Sequence, residues 1–311
     1  MTDRSPWSAR WVWGTVVALA LAVAVYAGLV WWSGAGDFAE AFGRIGAATL
    51  LGAAALATVN FAVRFARWHW LLDRLGARLS LGPSLWIFLS GLAFTITPGK
   101  AGEAIKGVFC AHRGVPLGTT LAVVWMERFY DLVSVILLFS LGMIWLDDDL
   151  LWAAAPMWIT AAALFWLAYA RSGRAVLLRL FARWRDGLGA WFDELDRVRT
   201  WPVATGTLAV SALGWLCEGV AFWFVLRALG IPGTPAFAMA VYFAGTLAGV
   251  FFPGGLGGTE GMMTLLLAGA ASAAQVGVAV LAIRLATLWW ATLLGLGCVL
   301  ALLARGPGNK E

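Results

Sequence analysis

"PGGLGGTE" at residues 253–260 repeats, 155 residues later, the theme of "PGKAGE" at residues 98–103, and both stretches lie inside long apolar runs. Proline lacks an amide hydrogen and glycine has the most backbone freedom to lose, so either motif ends a helix. In hydrocarbon the freed backbone groups find no partner in lipid, and such a tip is tolerated only when buried in protein or lining a wet cavity. Each stretch also carries a carboxylate, Glu103 or Glu260. The motif therefore argues for a polar site at membrane depth.

Composition sets the class around these tips. The chain is 61% hydrophobic and 13% charged, against about 25% charged in soluble domains. Of its 20 tryptophans many lie near the ends of apolar runs (Trp11, Trp13, Trp31, Trp32, Trp68, Trp70, Trp145, Trp201), as interfacial belts do; aromatic packing between helices accounts for the rest. The expected fold is an all-α integral membrane protein forming a single polytopic domain. The run from Trp11 to Trp32 is too long for a signal-peptide core and has no cleavage site after it, so it reads as a retained helix. Cys110, Cys217 and Cys298, with His69 and His112, show no metal-ligand spacing, and neither a metal site, a disulfide framework nor a cofactor is expected. The net charge of +5 is distributed along the loops and is no nucleic-acid signature.

Full spans are expected at about 11–33, 46–72, 118–146, 150–170, 202–228 and 275–304. The stretches 84–112 and 235–272 are broken in the middle by the two motifs. Each half is ~14 residues, about 21 Å of helix, short of a ~30 Å hydrocarbon core. A descending half-helix, a tip and a returning half-helix fit this length. With both termini cytoplasmic, Arg4, Arg10, Arg74, Arg78, Arg113, Arg305, Lys310 and the arginines of 171–201 lie on one side. Arg44, Arg227 and the acidic run Asp147–Asp149 lie on the other. This asymmetry obeys the positive-inside rule for a plasma-membrane protein only if both broken segments re-enter. The topology is thus six spans and two re-entrant hairpins. The segment 171–201 mixes Arg with Leu, Phe and Trp at helical spacing, and reads as an amphipathic helix on the inner leaflet or as a plain connector.

The two halves also align. "LDRLG" ending at Gly76 matches "LRALG" ending at Gly230, Pro98 matches Pro253, Glu103 matches Glu260 and Arg128 matches Arg284, all at offsets of 154–157. The units are repeat 1, about 46–146, and repeat 2, about 202–304, separated by a linking span and amphipathic segment at 150–201. One intervening span reverses the second unit, giving an inverted-topology repeat of the kind that places transport sites at the midplane.

Arg128 and Arg284 each lie about nine or ten residues into a span, near mid-membrane. Ionisable groups there cost about 2.5–3.5 kcal/mol each on insertion scales and are paired or functional. Glu103 is expected to pair with Arg128 or, across the repeat, with Arg284, and Glu260 likewise. In one reading the arginines bind an anionic headgroup, for which a planar guanidinium suits phosphate. In the other the Glu–Arg pairs only staple each hairpin to the following span. Lys100 and Lys106 occur in the first copy alone and suggest a cationic lining there. Arg64 and Arg67 line the inner mouth or snorkel; Asp131, three residues after Arg128, could pair with it. Glu218 has no local cation and is a candidate for proton coupling.

"TPGKAGEAIKG" followed by "MERFYDL", and "FFPGGLGGTEG" followed by "IRLATLWW", resemble the transmembrane domain of lysylphosphatidylglycerol synthases. That domain is also the flippase-like membrane half of the bacterial multiple peptide resistance factor and occurs as stand-alone proteins. The resemblance covers roughly residues 15–303. It implies importance for Pro98, Gly99, Gly102, Glu103, Arg128, Pro253, Gly254, Gly257, Gly258, Glu260 and Arg284. It also implies lipid handling without the soluble aminoacyl-transfer domain, and so no synthase activity. The leading expectation is a transporter for a lipid with an anionic headgroup: a phospholipid, an aminoacylated phospholipid or a polyprenyl-phosphate-linked lipid. Two alternatives are a membrane-embedded lipid-modifying enzyme using a carboxylate such as Glu103, and a scaffold that recruits a separate lipid synthase.

Overall fold

The computed structural model describes residues 9–96, 103, 105–143, 155–250 and 252–304. Pro98, Gly99, Lys100 and Gly102 lie outside the described residues. Every regular element described is a helix. In chain order they are α1 (Ala9–Ser33), α2 (Ala35–Arg74), α3 (Leu81–Leu92), α4 (Lys106–Ala111), α5 (Leu117–Met143), α6 (Ala155–Tyr169) and α7 (Arg171–Leu180), then α8 (Arg185–Val198), α9 (Trp201–Ala228), α10 (Pro235–Ala248), α11 (Gly258–Leu267), α12 (Ala273–Arg284) and α13 (Trp290–Ala304).

Three of the described helical stretches are long and apolar enough to cross a membrane: Ala35–Arg74, Trp201–Ala228 and Ala273–Ala301. The fold is that of an all-α membrane protein. At 27 residues α5 has the length to cross, about 40 Å by helix rise, but Glu127, Arg128 and Asp131 interrupt its apolar run. The 15 residues of α6 fall short of the span expected at 150–170; residues 150–154 are outside the description.

Helix α2 begins eleven residues before the span expected from 46, and Gly46 explains why. Its φ of 70° breaks the helix at that residue, a conformation that glycine adopts without a Cβ penalty. The part after the break is the expected span. Helices α2 and α9 lie side by side and antiparallel: Trp70 faces Gly206, Arg67 meets Ser211, and Asn60 reaches Gly214 and Glu218. Small residues allow the close approach, as is usual where lipid supplies no hydrophobic drive between helices. A Cβ on Gly214 would sit 2.5 Å from Asn60 Oδ1, and one on Gly142 of α5 would sit 3.2 Å from the Ala240 Cβ of α10.

Helices α10 and α11 form an antiparallel hairpin, with Gly245 against Met263 and Gly249 against Thr259. The turn between them holds three glycines with positive φ: Gly254 at 59°, Gly255 at 75° and Gly257 at 86°. Any other residue would be strained at these positions. Helix α3 packs against α4 and α13. The span expected at 275–304 is the stretch Ala273–Ala301, and within it α12 passes into α13 through a π-helical turn, Leu285–Trp289, that begins just after Arg284. Such turns accumulate at functional sites.

The 171–201 segment folds as two helices. Helix α8 buries Phe192, Leu195 and Val198 against the body of the protein. Its Asp196 takes a two-pronged contact from Arg174 of α7, both N–O distances being 2.7 Å. That guanidinium holds the Asp196 carboxyl below its ordinary pKa, with burial opposing the effect.

Candidate functional site

Burying an ion in a low-dielectric interior costs several kcal/mol unless partners compensate it, so buried charges in this chain have to be read as a set. Six of them, with the half-buried Arg128, gather where α2, α4 and α5 meet. Arg64 and Arg67 come from α2, Lys106 from α4, Glu127, Arg128 and Asp131 from α5, and Glu103 precedes α4. Arg67 donates to Asp131 at 2.7 Å and to Ser211 of α9, and lies 3.6 Å from Glu127. Arg128 is 3.0 Å from Asp131 and 3.5 Å from Glu103. Four cations meet three carboxylates, leaving one positive charge in excess.

Two sequence expectations need correction here. Arg64 and Arg67 do not snorkel: they are 6% and 1% exposed, because α2 turns this face toward α5 and α9. Nor does Lys106 line an open path. It is wholly buried, with Nζ 3.2 Å from Glu103 and 3.1 Å from Glu127, and it sits over the rings of Trp68 and Phe88. Its charge is consumed inside the protein. The stem of Lys106 lies across Gly91, where a Cβ would come within 2.5 Å of its Cε.

A second, simpler constellation stands at the α10–α11 turn. Arg284, the last residue of α12, donates through Nε to Glu260 at 2.7 Å and through its terminal nitrogen to the Gly254 carbonyl. Glu260 in turn accepts from the Gly257 amide at 2.7 Å, capping the start of α11. Tyr26 of α1 donates to the same carboxylate at 3.4 Å and accepts from Trp289 Nε1 at 3.0 Å. Arg284 thus ties the glycine turn to the π-turn beside it. Each sequence-matched arginine meets the glutamate of its own copy; no ion pair between the copies occurs among the described residues.

Between the two constellations lies a cavity of about 310 Å³. Arg64, Arg128 and Asp131 line one side, Arg284 with Gly254 and Gly255 another, and Glu218 and Tyr242 a third. The Nε atoms of Arg64 and Arg128 are buried with no hydrogen-bond partner among the described residues. Glu103, Lys106 and Glu260 stand behind the lining. Glu218 accepts from Asn60 Nδ2 and from the Tyr242 hydroxyl. No group of three or more His, Cys, Asp or Glu able to hold a metal occurs among the described residues.

Tyr26 and Tyr242 were not singled out from sequence. Both are polar tips inside apolar runs in a chain with four tyrosines, and a buried phenol needs a partner; that signal could have found them.

The sequence profile described as the lysylphosphatidylglycerol synthase TM region matches residues 17–295. Among curated proteins no relative matches the chain.

Proposed function

Since the chain belongs to the family of lysylphosphatidylglycerol synthase TM regions, we propose that it moves a lipid with an anionic headgroup between leaflets of the plasma membrane, without altering it chemically. The observation that carries this reading is the convergence of Arg64, Arg128 and Arg284, from three different helices, on one cavity. A lipid phosphate would take the guanidinium donors while its tails remain in the bilayer. Charge-assisted contacts of this kind are worth about 1.5–3 kcal/mol each.

In this reading both termini are cytoplasmic and the chain is an inverted repeat. Helix α2 corresponds to α9, the segment from α3 to α4 to the α10–α11 hairpin, and α5 to the α12–α13 span. The antiparallel pairing of α2 with α9 supports it, since equivalent helices of an inverted repeat run in opposite directions. The two broken segments would re-enter from opposite faces, so that alternating access proceeds around a fixed midplane site.

The test is reconstitution into vesicles of phosphatidylethanolamine and phosphatidylglycerol with a trace of head-labelled fluorescent phosphatidylglycerol. The full chain should make the inner-leaflet label accessible to an external quencher faster than empty vesicles do. Arg128→Gln and Arg284→Gln should each slow this by about 10–100-fold, the equivalent of one lost charged contact. No acceleration by the wild type would remove the transport reading. Unchanged rates in both folded variants would remove the site, and a chemically modified lipid in the mass spectrum would replace the transporter with an enzyme.

A further inference from the structure

Glu218 differs from every other buried carboxylate of the two constellations. It lines the cavity, yet both of its oxygens accept hydrogen bonds from neutral donors, Asn60 and Tyr242. Among the described residues no ammonium or guanidinium lies within ion-pair distance of it, whereas Asp131 and Glu260 each have an arginine at 3.0 Å or closer. The charged groups lining the cavity with it are Arg64 from α2, Arg128 and Asp131 from α5 and Arg284 from α12, with Arg67 of α2 buried behind them against Ser211 of α9; Tyr242 from α10 and Cys217 on α9 itself complete the titratable set.

The surroundings suit both protonation states. As a carboxylate, Glu218 uses the Asn60 amide and the Tyr242 hydroxyl as donors. As a neutral acid it needs an acceptor, and Asn60 Oδ1 is buried with no partner among the described residues. A half-turn of that amide would present the oxygen to the new O–H. Gly214, one turn before Glu218, leaves the space that brings Asn60 this close. Glu218 also stands 154 residues after Arg64, the offset that separates Gly76 from Gly230. Equivalent positions of the two copies therefore carry a fixed cation in one and a carboxylate in the other, both lining the cavity.

We propose that Glu218 is a proton-binding site whose protonation accompanies loading of the anionic headgroup, so that the protein is a proton-coupled lipid carrier. This rests on the transport reading above. The step is COO⁻ + H⁺ → COOH, with cavity water delivering the proton and no redox partner. Protonation removes one negative charge from a lining of three arginines and two carboxylates, which favours an entering anion; deprotonation toward the opposite face then disfavours it. One proton travels with one monoanionic headgroup, in the same direction.

Two measurements on the full chain separate this proposal from the transport reading. In lipid nanodiscs, infrared difference spectra across a pH titration should show a protonated-carboxyl stretch that is lost in Glu218→Gln. Tyr242→Phe, which keeps the carboxyl, should retain the band with a displaced midpoint. A band absent from the wild type, or retained in Glu218→Gln, overturns the proton site whether or not lipid moves. In the vesicles described above, loaded with a pH-sensitive dye, an imposed pH gradient should drive lipid and protons together. The leaflet ratio of labelled lipid should approach about tenfold per pH unit, the limit for one-to-one coupling. Lipid movement that ignores the gradient, with no lumenal acidification, leaves the transport reading standing and overturns the coupling; Na⁺-dependent movement in its place assigns the site to a different cation.

Discussion

Lys106→Met separates a lysine that holds the protein together from one that binds substrate. The substitution keeps the stem and removes an ammonium that is completely buried between Glu103 and Glu127. Both carboxylate oxygens lie within 3.2 Å of Nζ, so they are no more than ~6 Å from each other. Like charges at that separation repel by about 3 kcal/mol at an effective dielectric of ~20. The contacts with Trp68 and Phe88, at 4.6 and 5.0 Å, add about 1–2 kcal/mol for a desolvated cation. The lysine's own desolvation penalty is relieved in return and Arg67 and Arg128 stay 3.6 and 3.5 Å from the two carboxylates, which leaves a net loss of about 3–5 kcal/mol, the range for removing one partner from a buried ion pair. At about 2 °C per kcal/mol for a chain of this size, the midpoint should fall by about 6–10 °C. The assay is heating in detergent, followed by the fraction that remains monodisperse on size-exclusion chromatography. Lys106→Met/Glu127→Gln should regain about half of the loss, because the repulsion is gone. A Lys106→Met midpoint within about 2 °C of wild type, or a double variant no more stable than the single, would refute the reasoning.

Three further outcomes follow from other contacts. Arg284→Met should destabilise by about 3–5 kcal/mol, and adding Glu260→Gln should recover part of it, because a carboxylate without its cation costs more than losing both; thermal midpoints of the four proteins in a double-mutant cycle read the coupling. Gly295→Ala should abolish the monodisperse species, since its Cβ would lie 2.0 Å from the Ala93 amide nitrogen where α13 crosses the end of α3; normal elution would show that the two helices can part freely. Asp196→Asn should loosen α7 from α8, with the small effect of an exposed pair, about 0–1 kcal/mol, read by hydrogen exchange of α7. Because the Arg174 contact lowers the folded pKa of Asp196 from 3.8, its stabilisation is full above that value and is lost as pH falls through the lower folded value. The difference between Asp196→Asn and wild type should therefore shrink below pH 3.8 and not change on the alkaline side.

The features legible in the sequence are those whose chemistry lipid does not tolerate. A Pro-Gly tip in an apolar run, with a carboxylate a few residues on and an arginine about 25 residues later, leaves few arrangements that satisfy the charges. The 3.5 Å and 2.7 Å pairs of Arg128 with Glu103 and Arg284 with Glu260 are the ones found. What the sequence conceals is the rotation of a helix about its axis. In α2 the lipid face and the protein face are both apolar, so periodicity does not tell whether Arg64 and Arg67 point to an interface or into the core. The same limit hides the Trp68 and Phe88 cradle of Lys106, which comes from two other helices. Gly46 and the π-turn after Arg284 are local backbone breaks with no distinctive run of residues around them.

Glu218 shows where the two kinds of information meet. Its sequence signal is negative, a carboxylate in an apolar span with no cation nearby, and a buried staple would look the same if its partner came from elsewhere in the fold. The structure brings α2 and α10 against α9, and what they deliver to Glu218 is an amide and a phenol, with the guanidinium of Arg64 turned instead toward Glu103 and Asp131 at 3.9 and 3.7 Å. A carboxylate meant only to hold helices together would be better served by that arginine, since a charged partner offsets burial more fully than two neutral donors. Neutral partners, one of them with an amide oxygen that has no partner among the described residues, can serve the carboxyl in either form, and that sets Glu218 apart from the arginine-paired carboxylates.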